Sequence, residues 1–221
     1  MIFEAGNLYH IYNQGNNRQE TFFSNENYLY FLAKMKTHIL PHADILAWCL
    51  MPNHFHLMVY VHSVCNGGAT QSRTPTTNRT PTTNNQLLGV RLKVAPPEIE
   101  KPTNLNKSIG ILLASYTRAI NKQECRTGSL FRDNTKAECI TKMDGITPSF
   151  YNTSHGTVIN RQMIEIEYPQ VCFDYIHNNP VKAGLVKQPE EWMYSSYCDF
   201  KGQRNGKLIN RERVEEFGIE F

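Results

Sequence analysis

A chain of 221 residues, 40% hydrophobic and 19% charged, has enough material for one domain with a full core, which excludes a disordered chain or a small stapled scaffold. The formal charge of +3 is mildly basic, compatible with nucleic acid without demanding it, and the six scattered cysteines form no Cys-x-x-Cys, which excludes a zinc ribbon or a thioredoxin motif. No stretch reaches the roughly 18 apolar residues of a membrane span and no basic-then-apolar leader opens the chain, so the expected compartment is the reduced cytoplasm, with no membrane partner.

In chain order, residues 6–14 read as a strand rich in aromatic and β-branched side chains, followed by a turn at Gly15-Asn16-Asn17. Ser24-Asn25-Glu26-Asn27 has the character of a helix cap, and the helix it starts runs to about Ile39, with Tyr28, Phe31, Leu32 and Met35 on one stripe. Ala43 to Leu50 and His54 to Val61 form a hairpin across Met51-Pro52-Asn53. Residues 66–85 hold the tandem repeat Arg-Thr-Pro-Thr-Thr-Asn at 73–78 and 79–84. This polar stretch reads as a flexible insert, and Arg73 and Arg79 are better explained as linker than as nucleic-acid contacts. A second amphipathic helix spans Lys107 to Gln123 through Ile109, Leu112, Leu113, Tyr116 and Ile120. A fourth strand is expected near Thr135 to Ile140, and a loop over 144–162. A third helix ends before Pro180, because the residue preceding proline is pushed out of helical geometry. Residues 185–200 carry Trp192, Tyr194 and Tyr197, an aromatic tail expected to pack back on the core.

The order β-α-β-β-α-β predicts an α+β, ferredoxin-like (split βαβ) antiparallel sheet with helices packed on one face, plus a C-terminal helical or irregular extension. The expected division is a main domain over 1–185, interrupted by the 66–100 insert, and an extension over 186–221. The same layout serves RNA-recognition modules, so the fold by itself selects no function.

The chemistry centres on Met51-Pro52-Asn53-His54-Phe55-His56. Side chains two apart on a strand share a face, so His54 and His56 project together and form half of a divalent-metal site. Taken alone, such a pair is more often structural. Downstream, Tyr175 and Asn179 are four apart and lie one turn from each other on a helix. A tyrosine hydroxyl can attack a phosphodiester, and a metal on the phosphate oxygens would assist it, with Asn179 as a further ligand. The plainer alternative is a helix end with Tyr175 in the core and Asn179 as its cap.

The pairing of the His54/His56 motif with Tyr175-Ile176-His177-Asn178-Asn179-Pro180-Val181-Lys182-Ala183-Gly184-Leu185 resembles the single-tyrosine HUH transposases, in particular the REP-associated tyrosine transposase branch. Tyr12-Asn13-Gln14-Gly15-Asn16-Asn17-Arg18, Gly128-Ser129-Leu130-Phe131 and Trp192-Met193-Tyr194-Ser195-Ser196-Tyr197 resemble it too, in the right order. The resemblance implies metal-dependent nicking and joining of single-stranded or hairpin DNA through a covalent 5′-phosphotyrosine. Tyr175 would be the nucleophile, His54, His56 and Asn179 the metal ligands, Mg²⁺ or Mn²⁺ the cofactor, and a monomer or homodimer the working unit. The chain departs from the pattern after Phe131, where Arg132-Asp133-Asn134-Thr135-Lys136 replaces the usual Gln-x-Arg-aromatic-Lys.

Candidate DNA-contacting side chains are Arg18 in the first loop and Lys107, Arg118, Lys122, Arg126, Arg132 and Lys136 in and after the second helix. A solvated basic face explains them equally well. His10 and His177 are read as structural histidines that could flank the site. Two other functions remain open: a DNA-hairpin-binding protein that has lost turnover, and an unrelated metal-dependent phosphodiesterase using His54 and His56.

Overall fold

A computed structural model describes residues 1–62, 104–141, 149–153, 156–160 and 167–221. The 66–100 insert, with Arg73 and Arg79, lies outside the described residues. The elements follow in the order β1 (Leu8–Gln14), α1 (Asn25–His38), β2 (Ala43–Met51), β3 (His54–Val61), α2 (Leu105–Gln123), β4 (Lys136–Cys139), β5 (Ser149–Thr153), β6 (Gly156–Asn160), α3 (Glu167–Lys182), α4 (Tyr197–Phe200) and α5 (Arg211–Glu216).

The main sheet has the order β2-β3-β1-β4, and each pair of neighbours is antiparallel. This is the split βαβ arrangement expected from the sequence, and the fold is α+β. It brings β1 and β3 side by side at the centre, with Tyr12 opposite His56 and Gln14 opposite His54. Helix α1 starts where the Ser24 backbone N–H donates to Asn27 Oδ1 at 3.2 Å. Helix α2 starts where Lys107 N–H donates to Asn104 Oδ1 at 2.9 Å.

Period-two alternation divides the sheet into two faces. Phe55, Leu57, Val59 and Val61 of β3 face a core built with Phe31 and Met35 of α1 and Leu112 and Tyr116 of α2. Phe31 and Tyr116 meet edge to face at 5.0 Å. Met58 of β3, with Leu8, Ala47 and Cys49, faces a second core closed by Cys172, Phe173 and Ile176 of α3. Thus α1 and α2 share one face, as expected, whereas α3 covers the opposite one. That placement corrects the expectation of helices on one face alone, and it decides which side of the sheet carries the site.

Two further expectations are corrected. Pro180 does not stop α3, which continues to Lys182. Close to a helix end the missing proline N–H removes a single backbone bond. Beyond it, Ala183 N–H still donates to the Asn179 carbonyl and Leu185 N–H to that of Pro180, each at 2.9 Å. Gly184, at φ +70°, ends the run. The supposed loop over 144–162 contains the hairpin β5–β6, with Ser149 opposite Asn160 and Thr153 opposite Gly156. Phe150-Tyr151 and Thr157-Val158-Ile159 are good strand formers, a signal obscured by their polar flanks.

The C-terminal residues pack on the core as the aromatic tail suggested. Leu50 N–H donates to the Tyr194 carbonyl and Ser196 N–H to that of Trp48, each at 2.9 Å, so the tail lies along β2. It covers a strand edge that would otherwise be an open template for pairing. Among the described residues, no helix is long and apolar enough to cross a membrane.

Candidate active site

The β2–β3 hairpin delivers His54 and His56 to the α3 side of the sheet, and β1 adds His10 and Tyr12 beside them. The rings of His54 and His56 lie 5.0 Å apart, edge to face. His56 Nδ1 is 2.9 Å from His10 Nε2, a buried hydrogen bond. His54 Nδ1 is 2.6 Å from Asn53 Oδ1. Each histidine of the pair therefore has one ring nitrogen engaged by a protein group, the arrangement that orients imidazole ligands in metal sites.

Helix α3 buries Phe173 and Ile176, which leaves Tyr175 at the rim of that face, 38% exposed. Its ring stands edge-on to His56 at 5.4 Å and to His10 at 5.9 Å. The Lys182 ammonium lies 5.1 Å from the centre of the same ring. Tyr175, His54 and His56 line a common cleft of about 400 Å³ together with Tyr12, Gln14, Arg132, Asn134 and Lys136. Arg132 reaches it because its N–H bonds to the Gln14 carbonyl at 2.9 Å, while Asn13 Nδ2 donates to the Arg132 carbonyl at 3.0 Å. Lys136 opens β4 directly opposite Tyr12.

Electrostatics keep the imidazoles neutral. Burial, reinforced by the positive charge that His10 and His54 would carry, pushes His56 down to about 2. Burial brings His10 down to about 4 against the opposing pull of Glu138. Burial also lowers His54. Neutral rings with lone pairs suit a cation far better than imidazolium would. Tyr12 is pushed up to about 12, by burial first and then by donating its hydroxyl to Glu138 Oε1 at 2.6 Å. It stays a phenol across the physiological range.

The remaining candidates divide. Asn179 is absent from the cleft lining; its Nδ2 donates to the Tyr175 carbonyl at 2.9 Å, one turn back on α3. The amide oxygen is thereby the end left for a ligand. Arg126 donates to Gln19 Oε1 at 2.7 Å and serves the loop after β1. Arg18 presents its backbone carbonyl to Asn53, while Lys107, Arg118 and Lys122 sit on α2, behind the sheet. None of these four lines the cleft. Among the described residues, no three His, Cys, Asp or Glu side chains form a metal cage. Asn53, the role of His10 toward His56, and the Tyr12–Glu138 pair escaped sequence reasoning. The alternation His10, Tyr12, Gln14 along β1 was the available signal, but only the strand register turns it toward His56.

No protein-family model matches the chain, and no curated protein matches it. Among solved structures it is similar to a REP-associated tyrosine transposase bound to a REP hairpin, at 14% identity and TM-score 0.47, over 89% of this chain and 80% of that one. A likeness at that level assigns neither a family nor an activity.

Proposed function

We propose that this cleft nicks single-stranded DNA and rejoins it through a covalent link to Tyr175. The observation that carries the reading is the placement of Tyr175, from a distant part of the chain, edge-on to His56 in a cleft that also holds Arg132 and Lys136. A half-exposed phenol beside neutral imidazoles and two cationic side chains has the makings of a phosphoryl-transfer site. The Tyr175 oxygen forms a bond to phosphorus as the bond from phosphorus to the 3′ oxygen breaks. The phenol gives up its proton and the departing 3′ oxygen gains one. The product is a 5′-phosphotyrosine and a free 3′-hydroxyl, and attack by that hydroxyl reverses the step.

Two neutral imidazoles fit Mn²⁺ well and Mg²⁺ where oxygen ligands complete the set. His54, His56 and the Asn179 amide oxygen would hold the ion, which supplies charge withdrawal at the phosphate. Arg132 and Lys136 bind the flanking phosphates. Tyr175 meets His56 within its own chain, which suits a site that one copy can complete.

The test uses labelled hairpin-bearing single-stranded oligonucleotides of randomised sequence. With Mn²⁺ the wild-type protein is expected to yield a denaturant-resistant adduct that Tyr175→Phe lacks. Binding without an adduct would instead indicate a DNA-binding protein without turnover. Cleavage that survives Tyr175→Phe would indicate a hydrolase.

A further inference from the structure

We infer that Asn53 is a positioning residue, which holds His54 in the tautomer that presents Nε2, with its lone pair, as a ligand. The inference rests on the metal reading of the site. Asn53 Nδ2 donates to the Arg18 carbonyl at 3.3 Å. A backbone carbonyl only accepts, so the amide nitrogen must be the end that faces it. The amide oxygen then faces His54 Nδ1, at 2.6 Å. An amide oxygen also only accepts, so the proton of the neutral ring sits on Nδ1 and the lone pair on Nε2.

The surroundings hold this relay in place. The loop after β1 clasps the β2–β3 turn: Gly15 N–H donates to the Asn53 carbonyl at 2.8 Å, and Thr21 and Phe22 N–H to that of Pro52 at 2.8 and 3.1 Å. Asn17 and Arg18 both take left-handed backbone conformations, at φ 51° and 58°, which few non-glycine residues adopt. That bend puts the Arg18 carbonyl over Asn53, and backbone held in a sparsely populated region is a recurrent mark of functional sites. A Cβ at Gly15 would come within 2.2 Å of the Gln19 carbonyl oxygen, so the loop closes this tightly only with glycine there. Gln19 is fixed from the far side, donating to the Leu130 carbonyl at 2.9 Å and accepting from Arg126 at 2.7 Å. Arg18 and Arg126, expected from the sequence as DNA contacts, thereby gain a role in shaping the hairpin.

Imidazole ¹⁵N spectra of the metal-free protein, recorded at pH 8, read the tautomer directly. His54 is expected to carry its proton on Nδ1. Asn53→Leu, which removes the acceptor, is expected to move that proton toward Nε2 and to weaken Mn²⁺ binding about 10- to 100-fold, the usual loss when a ligand's orienting partner goes. Asn53→Asp keeps an acceptor oxygen and is expected to bind Mn²⁺ at least as well as wild type. A wild-type His54 protonated on Nε2 overturns the inference, even where Asn53→Leu does not fold. Unchanged Mn²⁺ affinity in a folded Asn53→Leu also overturns it. A wild-type protein with the expected tautomer that takes up no Mn²⁺ overturns the metal reading and, with it, the ligand role given to His54.

Discussion

Two tyrosines line the cleft, and their surroundings separate them. The Tyr12 hydroxyl is committed to Glu138, and its proton is held up to about 12. Tyr175 stands at the rim against His10 and His56. The His10–His56 contact is buried, so removing one partner leaves the other ring nitrogen without its bond, a loss of roughly 1–3 kcal/mol. A double-mutant cycle with His10→Ala and His56→Ala, read by urea unfolding, is expected to give a coupling of about 0.5–3 kcal/mol. Additive effects would show that the two rings do not depend on each other. His54, His56 and Tyr175 were legible as candidates because their spacing has a direct geometric meaning on a strand and a helix. Asn53 was not, and His10 was legible only as a structural histidine near the site, not as the partner of His56. His10 reaches His56 diagonally across two strands, a relation set by register, and Asn53 looks like an ordinary turn residue until the Arg18 carbonyl is in place.

At the scale of elements, the side chosen by α3 makes the site. The sequence supplied strand order and helix positions, but the expectation of a half-covered sheet overlooked β2. Its run ADILAWCLM is apolar at nearly every position, and all but Asp44 are buried. A strand without alternation is one with both faces covered. The opposite cover is tied down where His177 of α3 bonds to Ser196 Oγ of the tail at 2.8 Å, and Ser196 N–H to the Trp48 carbonyl. Burial pushes His177 down to about 3. A histidine with a lowered folded-state value takes up its proton more readily in the unfolded chain. Its contribution is therefore complete above about pH 6.5 and is lost as pH falls toward 3, at up to about 1.4 kcal/mol per pH unit. Urea midpoints between pH 7 and 4.5 are expected to fall less steeply for His177→Gln than for wild type. Equal slopes would mean that His177 is not neutral in the folded state. Gly15→Ala, which would drive Cβ into the Gln19 carbonyl, is expected to destabilise the loop–hairpin clasp and lower the thermal midpoint. An unchanged midpoint would show that the loop yields freely.

At the scale of the whole molecule, a net charge of +3 is too small to steer nucleic acid by itself, so the placement of cations decides affinity. Arg132 and Lys136 line the cleft, whereas Lys107, Arg118 and Lys122 lie behind the sheet. Replacing Arg132 or Lys136 by alanine is expected to weaken single-strand binding and to reduce the slope of log affinity against log salt by about 0.7 each. The same change at Lys107 is expected to leave that slope unaltered, and the reverse pattern would move the DNA path to α2. In the proposed reaction Tyr175 becomes covalently joined to DNA. Peptide mass spectrometry of protein trapped on a cleaved oligonucleotide tests it most directly. A 5′-phosphoryl nucleotide is expected on the peptide bearing Tyr175, with a free 3′-hydroxyl on the released strand. The same modification on Tyr12 or any other residue, or cleavage with no modified peptide, would contradict it.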